Sequence, residues 1–178
     1  MKMLKKLLAV VLTGAMALTL LTACGSNAVR DKDIADALNN IVKLNDSEVT
    51  FTPRAKEREM AQKLAALLES HSEDDSNSAE LSAKIQGILG IDQGGVNENN
   101  FVWVQNALTD KLGAEGQAFQ VMESLTDKGG AYNFSSLGSK EPADTRYMGT
   151  ALCKIPDQKD NLVTVRVIVI TAEPVDKK

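Results

Sequence analysis

Histidine occurs once in the 178 residues, at His71. That scarcity removes the two- and three-histidine zinc centres on which metallohydrolases are commonly built. Aromatic residues make up 4% of the chain, so the core has to come from Leu, Ile, Val, Ala and Met. There is no G-x-S-x-G, so a Ser-His-Asp triad has no marked nucleophile. Internal repeats and low-complexity tracts are also missing. What remains, 43% apolar and 25% charged, is ordinary globular material of a length that suits one domain.

One long apolar run stands out. Lys2, Lys5 and Lys6 precede a stretch at 7–21 that is nearly unbroken in its hydrophobicity. At about 15 residues it is short of the roughly 20 needed to span hydrocarbon as a helix, and it fits the h-region of a signal peptide. Leu21-Thr22-Ala23-Cys24 follows at once, then Gly25-Ser26-Asn27. The order of charge, apolar run and box resembles the lipobox of bacterial lipoproteins. The resemblance implies cleavage between Ala23 and Cys24 and a diacylglyceryl thioether on Cys24. The product would be lipid-anchored and extracytoplasmic. In a one-membrane cell it stays on the outer leaflet of the plasma membrane. With Gly25 and Ser26 after the lipid site and no Asp, it goes to the outer membrane of a two-membrane cell.

Loss of residues 1–23 changes the charge balance. That segment holds three lysines and no acid, so the chain's 20 basic and 24 acidic residues become 17 and 24, a net of −7. Such a surface disfavours nucleic acid and does not adhere by itself to anionic headgroups. Attachment then depends on the lipid, and two acyl chains suffice where one does not. A thioether on Cys24 leaves Cys153 unpaired, and a lone Cys reads as a small buried hydrophobe.

Residues 24–30 read as a short tether, 31–172 as a single domain and 173–178 as a tail. Ile34, Leu38, Ile41 and Val42 share one helical face within 31–45. The stretch 47–52 is extended, with Val49 and Phe51 on one side. Thr52-Pro53 reads as N-cap and first residue of a helix whose stripe is Met60, Leu64, Leu67 and Leu68. A third helix opens on an Asn77/Glu80 capping box, carries Leu81, Ile85, Ile88 and Leu89, and stops at Gly90. Residues 101–112 are ambiguous between strand and helix. Residues 115–128 form a helix with Ala118, Val121, Met122 and Leu125 inward. A long connection at 129–145 leads to strands at 147–155 and 162–172. The second is apolar on both faces apart from Arg166, which marks a central strand of an antiparallel sheet.

Candidate chemistry is sparse. His71 opens an acidic loop. The cluster Glu69, Glu73, Asp74 and Asp75 offers oxygen ligands for Ca²⁺ but lacks the alternating spacing and central Gly of an EF-hand, so no metal site is assigned. Gly94-Gly95 and Gly129-Gly130 do not follow strands in a way that would cradle a phosphate, and no cofactor is expected. Glu98, Trp103 and His71 are the candidate lining of a groove.

The order of segments resembles the CAP superfamily of cysteine-rich secretory, antigen 5 and pathogenesis-related proteins. The matching pieces are ALNNIV (37–42), VTFTP (49–53), MAQKLA (60–65), Asn97-Glu98-Asn99, the 115–128 helix, YMGTAL (147–152) and VTVRVIVIT (163–171). The family's cavity histidines would fall near Gln62 or Leu64 and within 126–140, where this chain has none. Of the family's usual His and Glu cavity residues, only a Glu has a counterpart here, Glu98. The resemblance therefore implies an α-β-α sandwich without the histidines of the family's cavity. The expected fold is α+β, with four or five helices on a small antiparallel sheet ending in a C-terminal hairpin. The expected function is a non-catalytic module, tethered to the membrane, that binds a protein, a cell-wall component or a small ligand. The alternative is a cell-envelope hydrolase using His71 and acidic neighbours in a cleft.

Overall fold

The computed structural model describes residues 25–45, 47–70, 78–91, 101–109, 112–126, 139–157 and 160–177 (for 25–30, 78, 101–109 and 126, the backbone only). The fold is α+β. In chain order the elements are α1 (Gly25–Leu44), β1 (Thr50–Pro53), α2 (Ala55–Ser70), α3 (Ser78–Leu89), β2 (Phe101–Thr109), α4 (Ala114–Thr126), β3 (Lys140–Pro156) and β4 (Leu162–Asp176). The four strands form one sheet in the order β1-β3-β4-β2.

β3 and β4 are the two inner strands, and β4 is antiparallel to both of its neighbours. Its β-branched residues pack on both faces of the sheet, as a strand with apolar groups on each side must. On one face Ile168 and Ile170 join Met148 of β3, Ile34, Leu38 and Val42 of α1, and Ala118 and Val121 of α4. On the other, Val165, Val167 and Val169 join Ala151 and Cys153 of β3 with Ala61, Leu64 and Ala65 of α2 and Leu89 of α3. Three layers result, with helices on both sides of the sheet.

Several boundaries differ from the sequence expectation. The sheet is mixed, because β1 pairs parallel to β3, from Thr50 opposite Thr145 to Pro53 opposite Met148. Pro53 therefore ends a strand instead of opening a helix, which its missing N–H permits at an edge. Helix α2 begins two residues later. Residues 25–30, expected as a tether, are the first turns of α1. Residues 140–145, expected as connection, belong to β3. The ambiguous 101–109 stretch is a strand, held against β4 from Phe101 opposite Ala172 to Thr109 opposite Val165.

Two glycines carry local geometry. Gly90 takes φ 65° just after α3, and the Ile91 N–H reaches back to the Gln86 carbonyl at 3.0 Å, closing the helix with a Schellman turn. At Gly149 a side chain has no room. A Cβ there would lie 1.9 Å from the Arg58 backbone nitrogen, so the first turn of α2 rests directly on β3.

Candidate functional site

The polar chemistry of the described residues collects where β1 stops. β1 is only four residues long, and after Pro53 the chain turns away as the Arg54 N–H donates to the Met148 carbonyl at 2.9 Å. The next edge donor of β3, the Thr150 N–H, is left without a strand partner. Asp31 of α1 supplies one. Its Oδ1 accepts from the Thr150 N–H at 3.1 Å and from the Thr150 hydroxyl at 2.5 Å. Its Oδ2 accepts from Arg58 Nε of α2 at 2.7 Å.

The chain of contacts continues inward. Thr150 Oγ1 accepts from Arg166 Nη1 at 2.9 Å, and Arg166 Nε donates to Gln117 Oε1 of α4 at 2.8 Å. Gln117 in turn donates to the Leu112 carbonyl at 2.7 Å. Arg166 is 1% exposed. It is no gap in the burial of β4; it is a buried cation whose hydrogen bonds tie three elements together, which is how a charge is tolerated in an interior.

A second cluster sits on the opposite face. Arg54 grips the buried Glu57 with two N–H groups, the Nε one at 2.6 Å. The Thr171 hydroxyl donates to Glu57 Oε1 at 2.7 Å. The Arg54 guanidinium also lies 3.7 Å over the centre of the Tyr147 ring, a cation–π contact. Asn39 of α1 works in a third place. It accepts from the Phe51 N–H at 2.7 Å and donates to the Phe51 carbonyl at 2.9 Å, standing in for a strand on the outer edge of β1.

The two buried carboxyls are tuned in opposite directions. Burial pushes the Asp31 carboxyl above its usual range, and the bonds from Thr150 and Arg58 only partly offset it. Burial acts on Glu57 in the same sense, yet the hydrogen bonds from Arg54 and Thr171 and the charge of Arg54 outweigh it and hold Glu57 low. Each carboxylate accepts three hydrogen bonds, and through them Asp31 joins α1 to β3 and α2 while Glu57 joins α2 to β4. Cys153 is buried as expected; burial, with Glu69 adding its charge, pushes the thiol up and away from thiolate chemistry.

A shallow groove of about 380 Å³ runs between α1 and α4, lined by Asp33, Asp36, Ala37, Asn40, Ala114 and Glu115. No group of three or more His, Cys, Asp or Glu placed to hold a metal occurs among the described residues. Of the residues expected to matter, Ala23, Cys24, His71 and Glu98 lie outside the described residues, as does Asn77 of the expected capping box. Trp103 lies in β2, opposite Ile170 in the ladder, with its side chain outside the described set. Only Arg166 of the polar network was conspicuous in the sequence, as a cation in an apolar strand. Asp31, Glu57, Thr150 and Gln117 carry no local signal, since their partners lie far along the chain.

No family model matches the chain, and no curated protein or solved structure proves similar to it.

Proposed function

We propose that the chain is the precursor of an extracytoplasmic lipoprotein: residues 1–23 are removed, Cys24 carries the lipid, and the three-layer domain is a non-catalytic module that binds or braces a component of the cell envelope. The observation that carries this reading is the ordered run of three lysines, an apolar stretch of about 15 residues and Leu21-Thr22-Ala23-Cys24, immediately followed by α1 of the folded domain. No described helix is long and apolar enough to cross a membrane.

A CAP-like scaffold is part of the proposal. The contacts that support it join the quoted segments. Asn39 in ALNNIV clamps Phe51 in VTFTP, and Gly149 in YMGTAL receives the backbone of α2. The non-catalytic part of the reading is supported by the single histidine, the inaccessible Cys153 and carboxylates committed to joining elements.

The test is intact mass and membrane fractionation of the expressed chain beside a Cys24→Ala variant. The expected result is a membrane-bound product that lacks residues 1–23 and carries a diacylglyceryl mass, with the variant unmodified. A full-length, unmodified wild-type chain would overturn the proposal.

A further inference from the structure

The far end of the β3–β4 hairpin is covered on one side only. There α2 and α3 pack the face of Ala151, Cys153 and Val165. On the other face, Leu152 and Pro156 of β3 and Leu162 of β4 belong to neither buried cluster and are exposed. Leu162 is 72% exposed and Leu152 41%. Leu112, 37% exposed, stands at the same end, since its carbonyl binds Gln117, which holds Arg166 opposite Leu152 in the ladder. Lys154, between Leu152 and Pro156 on the same face, is an exposed cation among the described residues of this strip.

The path of α1 says what this strip faces. Asp31 sits at Thr150, and Asn39 sits at Phe51, which pairs with Arg146. Helix α1 therefore runs antiparallel to β3, with its start pointing toward the hairpin tip. From Asp31 back to Gly25 is six residues, about 9 Å of helix at roughly 1.5 Å each. About three strand residues, at roughly 3.3 Å each, cover the same distance on β3 and reach Cys153. The residue before Gly25 is the lipidated Cys24 of the reading above. The start of α1, next to the proposed lipid attachment, is thus level with Leu152, and Leu162, paired with Pro156, lies three to four strand residues, roughly 12 Å, nearer the tip of the same pole. The helix is continuous from Gly25 to Leu44 and is pinned to β3 by Asp31, so no loose leash separates them.

We infer that Leu152, Leu162 and Leu112 rest in the interfacial zone of the bilayer that holds the acyl chains of Cys24, so that the domain lies against the membrane in one fixed orientation. The inference rests on the lipoprotein reading. The occupant is a lipid surface because the anchor holds that surface beside the strip at high effective concentration. A contact too weak to recruit a free protein then suffices. Leucines flanked by a lysine suit the acyl–headgroup boundary, where the apolar side chain enters and the ammonium stays with the headgroups.

The test uses the full lipidated protein in vesicles of phosphatidylglycerol and phosphatidylcholine, with an environment-sensitive fluorophore on Leu162→Cys or on Leu44→Cys. Leu44 is 85% exposed and lies at the opposite end of α1, about 28 Å away along the helix. The expected result is flotation of both proteins, with a blue shift and strong quenching by nitroxide-labelled phosphatidylcholine at position 162 and neither at position 44. Adding Leu152→Asp and Leu112→Asp should abolish the quenching at 162 while flotation persists. Flotation with position 162 unquenched, or with both positions quenched alike, would overturn the orientation and leave the anchor standing. Failure to float would overturn the anchor itself, and this inference with it.

Discussion

Gly149 sets how closely α2 can lie on the sheet, and it does so by lacking a single atom. The nearest obstacles to a Cβ are main-chain atoms of Glu57 and Arg58, which cannot rotate away as a side chain could. Gly149→Ala must push the first turn of α2 off β3, and with it Glu57 from Thr171 and Arg58 from Asp31. The expected loss is more than about 3 kcal/mol of unfolding free energy, at the upper end of overpacking effects. Gly87→Ala gives the opposite result. That glycine is in α3 with no atom within 4 Å of the added Cβ, so alanine should stabilise by about 0.5–1 kcal/mol. Urea unfolding of the two variants beside wild type checks both signs, and a Gly149→Ala protein as stable as wild type would show that the helix seat is slack. Arg166 shows what one residue reveals in a sequence. A cation in an apolar strand announces that it needs partners. It does not announce Thr150 16 residues back or Gln117 49 residues back, because sequence spacing carries no record of contacts between elements.

The elements with strong periodicity were legible and those defined by a neighbour were not. The stripes of α1, α2, α3 and α4 recur in the structure at Ile34, Leu38, Leu64, Leu89, Ala118 and Val121. The β-branched density of β4 marked it as central, and Gly90 marked the end of α3. β1 is different. Four residues carry too little pattern to declare a parallel partner, and Pro53 reads more readily as a helix start than as a strand end. What makes β1 a strand is the edge of β3 on one side and Asn39 on the other. Asn39→Ala removes both bonds to Phe51 and leaves a part-buried N–H and carbonyl unpaired, a loss of about 1–3 kcal/mol. Amide exchange resolves where that loss falls. The Phe51 amide should exchange much faster in the variant, while the amides of β4 keep their protection. Equal loss of protection in both strands would mean that Asn39 supports the whole core and not the edge.

At the scale of the whole molecule, the two carboxyls buried among the described residues respond to pH in opposite directions. Glu57 has its folded value below the ordinary 4.5, so its stabilisation is present above that pH and disappears as acid protonates it in the fold. Asp31 has its folded value raised above the ordinary 3.8. Its contribution is full below 3.8 and declines as pH rises through the raised value, because ionising it in the interior costs more than in water. Descending from neutral pH, the fold therefore first gains stability as Asp31 takes up a proton and then loses it as Glu57 does. The melting temperature of the wild-type domain should peak on the acid side of neutrality. Asp31→Asn should remove the rise on the neutral side of that peak and keep the acid fall; Glu57→Gln should flatten the acid fall and keep the rise. Melting curves of the three proteins between pH 3 and pH 8, the span that brackets these carboxylates, separate the two limbs. A wild-type profile that falls monotonically from neutral pH, unchanged by Asp31→Asn, would mean that Thr150 and Arg58 hold Asp31 ionised against its burial. The joint between α1, α2 and the edge of β3 would then be an ion pair at every pH at which the domain is folded.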